Sequence, residues 1–131
     1  MNTTRRHILR GFAGLFGSLI ADQAQAAIPP NVSPEAEYFR KEQSRALAKY
    51  GVAAESRFVQ LTNPSLRAQV LVAGRGEPVL LIHGGGSVAV SLAGVMSSFA
   101  PDFRCFAPDR PGCGLTDGFD YTNVPFPRTC H

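Results

Sequence analysis

The chain has 131 residues, 44% of them hydrophobic and 18% charged, with a formal net charge of +3. That length admits one domain at most, and so ordinary a composition excludes a disordered or collagen-like polymer. Arg5, Arg6 and Arg10 carry the basic excess, and without residues 1–26 the charge falls to +1, leaving no basic patch with interleaved aromatics for a nucleic-acid partner.

The first element in chain order reads as an export signal. A basic start precedes an apolar, Gly-rich stretch from Gly11 to Ala21, and Ala24-Gln25-Ala26 places small residues at the spacing a signal peptidase accepts. The eleven residues from Gly11 to Ala21, as a helix, reach roughly 16 Å, about half a bilayer's hydrocarbon core, so no stable membrane anchor is expected. Thr4-Arg5-Arg6-His7-Ile8-Leu9-Arg10 resembles the twin-arginine export signal, with Ile8 where Phe is usual and Arg10 where Lys is common. The expectation is a signal peptide over 1–26 and an exported, periplasmic or secreted product. Residues 27–55 then form an N-terminal helix and linker, and 56–131 a domain.

Ser33-Pro34 reads as a helix N-cap and first helical residue, with Glu35 and Glu37 where the helix dipole favours acids. Phe39, Ala46 and Tyr50 share a face that should dock on the domain, and Gly51 supplies the left-handed stop. Three extended runs follow, Ser56 to Leu61, Leu66 to Ala73 and Pro78 to His83, separated by Asn63-Pro64-Ser65 and Gly74-Arg75-Gly76-Glu77. Short connections predict a hairpin from the first two. Val79-Leu80-Leu81-Ile82 is apolar throughout, as in a strand covered on both faces. Ser87 to Ala100 has apolar residues near helical period, and Phe103 to Ala107 is a further strand. Strand, Gly loop, helix, strand is a right-handed βαβ crossover with parallel strands, so the fold class is α/β. Cys105, Cys113 and Cys130 have neither disulfide-framework density nor metal-ligand spacing, and Cys105 reads as a buried apolar residue. No metal and no cofactor is expected.

His83-Gly84-Gly85-Gly86 ends the third strand in three residues without side chains. Two chemistries ask for that. One is dinucleotide binding: Gly84-x-Gly86-x-x-Ala89 fits the Gly-x-Gly-x-x-Gly/Ala pattern, and Asp109 lies twenty residues beyond Ala89, where a ribose-binding acid belongs. A hairpin before the strand counts against it. The other is an oxyanion hole, in which main-chain N–H groups meet charge developing on an acyl oxygen and side chains would obstruct close approach.

His83-Gly84-Gly85-Gly86, together with Asp109-Arg110-Pro111-Gly112-x-Gly114 after the next strand, resembles the α/β-hydrolase family over about Phe58 to Phe126. The resemblance implies that Gly85 and Gly86 offer oxyanion-hole amides. His83, Gly84, Asp109 and Arg110 would shape and border the substrate site, and Thr116-Asp117 matches the family's usual ending of the second loop. Cys113 stands where relatives commonly have His. The family's nucleophile lies in a Gly-x-Ser-x-Gly elbow, which does not occur in these residues. Ser87, Ser91, Ser97 and Ser98 fall in or near the helix after the Gly loop, and His83, His131 and Asp109 precede the place where a triad begins. The expectation is therefore an incomplete α/β-hydrolase sheet, an N-terminal hairpin plus βαβ lacking the C-terminal strands. It would act in its full-length relative on a small-molecule substrate through ester, epoxide or related hydrolysis, and be inactive as written. A dinucleotide-binding domain and a non-catalytic half-domain completed by a partner chain are the alternatives; the second follows from the apolar edge left at Val79 to Ile82.

Overall fold

The computed structural model describes residues 33–122, so the expected export signal, Cys130 and His131 lie outside the described residues. Helix α1 (Pro34–Lys49) is followed by strands β1 (Ala54–Thr62), β2 (Ser65–Ala73) and β3 (Glu77–Leu80), a short 3-10 helix (Ala89–Leu92), helix α2 (Ala93–Phe99) and strand β4 (Phe103–Pro108). The strands form one sheet in the order β1-β2-β4-β3. β1 and β2 are an antiparallel hairpin in which Thr62 pairs with Ser65 around Asn63-Pro64. β4 runs antiparallel to β2 and parallel to β3, so the crossover expected from the sequence is present.

Residue alternation sets the two faces of the sheet. Leu71, Ala73, Cys105 and Ala107 point to the face covered by the helices, where they form one core with Leu47, Val52, Ala89, Ala93 and Met96. Ala89 and Ala93 are fully buried, and their small size brings the helical segment close to the strands. Met96 and Leu71 are as deeply buried, each burial contributing about 1.5–3 kcal/mol. The opposite face carries a smaller cluster of Val70, Val72 and Phe106, with Val59 against it.

Helix α1 starts as its sequence indicates. Ser33 Oγ accepts from the Ala36 amide at 3.3 Å, Pro34 follows, and Gly51 stands at φ +66 beyond the last turn. Its docking face is shifted from the expected one, with Phe39 and Ala46 half-buried. Gln43 and Leu47 are its buried residues, while Tyr50 is 51% exposed. Gln43 is admitted because a polar partner awaits it: Gln69 Nε2, fully buried on β2, donates to Gln43 Oε1 at 3.3 Å and to Ser56 Oγ at 2.7 Å.

Three boundaries depart from the sequence reading by more than one residue. β1 begins at Ala54, two residues before Ser56, because Ala54 and Glu55 pair with Ala73 and Val72. β3 ends at Leu80, although His83 was the expected end. The Leu81 amide still reaches Phe106 O at 2.8 Å, but in a parallel ladder the next bond must come from the residue two beyond Phe106. That residue is Pro108, which has no N–H, so the partner strand ends the pairing. The third departure is the stretch expected as one helix over Ser87 to Ala100, which is a 3-10 turn leading into seven residues of α-helix.

Candidate active site

Beyond β3 the chain alternates once more before it leaves the sheet. Ile82 is 64% exposed and His83 turns inward to 3% exposure. Two contacts fix the His83 ring. Nδ1 lies 2.8 Å from Gly84 O, and Nε2 lies 3.1 Å from the Arg110 amide nitrogen. A carbonyl can only accept and an amide N–H can only donate, so Nδ1 carries the proton and Nε2 the lone pair. His83 Nε2 also stands 4.0 Å from Asp109 Oδ1, but the tautomer excludes an ion pair there: the Arg110 amide occupies Nε2 and the ring is neutral.

Holding Gly84 O has a consequence for the next amide. In a trans peptide C=O and N–H point in opposite directions, so tying Gly84 O back to the buried ring turns the Gly85 N–H outward, away from His83. Gly84, Gly85 and Gly86 are all exposed. Among the described residues none of their amides has a protein hydrogen-bond acceptor.

The three glycines differ in what the fold asks of them. Gly86 sits at φ +69, where a side chain is strained. Gly84 and Gly85 have no positive φ, and a Cβ added at either would meet no atom within 4 Å. Nothing in the protein requires those two positions to be bare.

Asp109 lies under this loop, at 2% exposure. Its Oδ1 accepts from the Ala89 amide at 2.6 Å, capping the 3-10 helix from a distant part of the chain, and its Oδ2 accepts from Leu115 N–H at 3.4 Å. Burial pushes the Asp109 carboxyl above the ordinary aspartate range, opposed by those two amides. Gly114 stands at φ +54 so close to the Asp109 carboxylate that a Cβ would overlap it. Arg110 presents its amide to His83 and its exposed side chain to solvent.

The loop from Asp109 to Asp117 also completes the hydrogen bonding of β2. Asp109 N–H reaches Gln69 O at 2.9 Å and Asp117 N–H reaches Arg67 O at 3.0 Å. Thr116 Oγ1 accepts from Gln69 N–H at 2.9 Å and donates to Asp109 O at 3.0 Å, while Asp117 Oδ2 accepts from Arg67 N–H at 2.8 Å. β4 is too short to satisfy this half of β2, and the loop does it instead.

The structure thus brings the expected residues together in two roles. His83 and Asp109 are buried positioning residues that join the loops after β3 and β4, and Gly84 to Gly86 are the exposed surface they hold. Sequence reasoning gave Thr116 no site role, its only signal being the Thr-Asp pair that ends the second loop, and placed Arg110 either at the site's border or as a plain surface charge; its backbone amide holds His83 while its side chain is exposed. Ser87 Oγ donates to Ser91 Oγ at 2.8 Å, and both ring nitrogens of His83, the one histidine among the described residues, are engaged by the backbone. Among the described residues no group of three His, Cys, Asp or Glu side chains could hold a metal, and no helix is long and apolar enough to cross a membrane.

No family model matches the chain. A curated relative, the cis-3-alkyl-4-alkyloxetan-2-one decarboxylase of Shewanella oneidensis, is 39% identical over 54 residues, which cover 37% of this chain and 17% of that protein. Among solved structures, a candidate hydrolase from Bacillus subtilis superimposes with a TM-score of 0.55 at 15% identity, covering 67% of this chain and 32% of its own. A candidate lipase from Acinetobacter baumannii AYE gives a TM-score of 0.51 at 23% identity, covering 73% of this chain and 31% of its own. The chain spans a third or less of the length of these proteins. The described residues therefore have an α/β-hydrolase-type fold: four strands of its sheet and the loops that follow β3 and β4.

Proposed function

We propose that this chain supplies the oxyanion-binding half of an exported hydrolase that acts on an ester or lactone carbonyl. Gly85 N–H, with Gly86 N–H beside it, meets the negative charge that develops on the carbonyl oxygen, an interaction of about 3–4 kcal/mol per donor in water-excluded sites. His83 in its neutral tautomer turns the Gly85 amide outward, and Asp109 secures the start of the helix behind the loop. The nucleophile and its base come from polypeptide other than these residues. The carbonyl substrate class is supported by the relative from Shewanella oneidensis, whose named substrate is an oxetan-2-one, a four-membered cyclic ester. Export rests on the twin-arginine-like start of the sequence.

One observation carries the reading: Gly84 and Gly85 are bare although neither backbone angle nor space demands it. A residue that the fold does not require to be glycine, exposed beside an outward amide, is explained by something that must approach closely from outside. The dinucleotide reading is disfavoured because Asp109, its ribose-binding acid, is 2% exposed and turned inward onto the Ala89 and Leu115 amides.

The test separates binding from turnover. The 131-residue protein should bind an alkylphosphonate, a stable tetrahedral anion, at the Gly85 and Gly86 amides, yet leave a chromogenic short-chain ester unhydrolysed above buffer. Turnover by the pure protein, or silence of both amides, contradicts the proposal.

A further inference from the structure

A concavity lies at the opposite end of the sheet from the glycine loop, where β1 and β4 begin and β2 ends. It encloses about 750 Å³ and is lined by Glu55, Arg57, Val72, Arg75 and Arg104, with Gly74 and Gly76 in its wall. Three guanidinium groups face one carboxylate there, an excess of two positive charges. Register explains the convergence. Glu55 pairs with Val72 and Val72 with Phe106, so Glu55, Arg57 and Arg104 all project from the face that the helices leave open.

Two of the three arginines, Arg75 and Arg104, have no carboxylate partner among the described residues. Arg57 is tied to Glu55, yet its Nε is buried with no hydrogen-bond partner. The Arg104 guanidinium lies 5.3 Å above the Phe106 ring, a contact that orients it and leaves its edge N–H groups available. The wall is rigid as well. Gly74 and Gly76 have positive φ and press their backbone against the main chain of Ala100, Asp102 and Phe103.

From this geometry we infer a binding site for a compact polyanion, a molecule presenting two or more carboxylate or phosphate groups to Arg57, Arg75 and Arg104. Planar guanidinium forks suit such oxygens in pairs. The site is independent of the carbonyl chemistry proposed above.

Calorimetric titration of the 131-residue protein with pyrophosphate and with citrate tests it. Saturable binding of either probe is expected; the preferred probe tells a phosphate ligand from a polycarboxylate. Arg104→Gln and Arg57→Gln should each weaken binding by about tenfold or more, while Arg45→Gln, on the exposed side of α1, should not change it. Glu55→Gln removes the anion that competes for Arg57, so it should tighten binding, and it provides a readout even if an arginine variant fails to fold. No saturable binding of either probe, or the same affinity in Arg104→Gln and Glu55→Gln as in the parent, overturns the inference.

Discussion

Two glycine-rich turns flank β3, and they are glycine-rich for opposite reasons. In the turn before it, Gly74 and Gly76 adopt positive φ, and any Cβ there would overlap the backbone of the α2–β4 connection. In the loop after it, Gly84 and Gly85 have no positive φ and open space where a side chain would go. The first pair is demanded by packing within the protein. The second pair is not demanded by packing or backbone angle, which is the feature the proposed oxyanion role rests on. A run of glycines in a sequence thus carries two messages, separated by backbone angle and by the room around a Cβ.

Substitutions should break or sharpen that contrast. Gly74→Ala should cost about 4 kcal/mol or prevent folding, since rigid main chain on the far side cannot give way; chemical denaturation measures it. Asp109→Asn should cost about 1–3 kcal/mol, because an amide can accept from the Ala89 N–H but turns its own N–H groups on Leu115. This cost depends on pH with a definite sign. Burial raises the Asp109 carboxyl above its unfolded value of about 3.9. Its contribution to stability is therefore full below that pH and declines as pH rises through the folded value. Asparagine does not titrate, so denaturation midpoints of the two proteins should lie furthest apart in acid and converge above it. Gly86→Ala should cost about 1–2 kcal/mol for its left-handed angle. Gly85→Ala is the smallest, within about 0.5 kcal/mol of the parent, while its methyl group hinders any anion from reaching the amide. Equal destabilisation at Gly74 and Gly85 would erase the distinction between the two turns.

Much of the fold was legible because its signals are local. Ser33-Pro34 and Gly51 mark the ends of α1, Asn63-Pro64 marks the hairpin, and the alternation of apolar runs with a glycine loop marks the crossover. What escaped depends on partners distant in sequence. The end of β3 is decided by Pro108 on the neighbouring strand, which only the register reveals. Gln43, which the expected docking face left out, is buried because Gln69, itself bonded to Ser56, meets it across the helix–sheet interface. The site was legible by residue and less so by role. His83 and Asp109 were recognised through their motifs, but His83 works on a backbone amide and a backbone carbonyl, and Asp109 on two backbone amides, partners that no side-chain pattern announces.

The most direct measurement is of the amides themselves. In a ¹⁵N-resolved NMR titration with an alkylphosphonate, the account predicts that Gly85 and Gly86 show the largest saturating shifts, and that Gly85→Ala folds as the parent does but responds less. Gly85 and Gly86 signals that stay in place, or amides protected from solvent exchange before any anion is added, would contradict it.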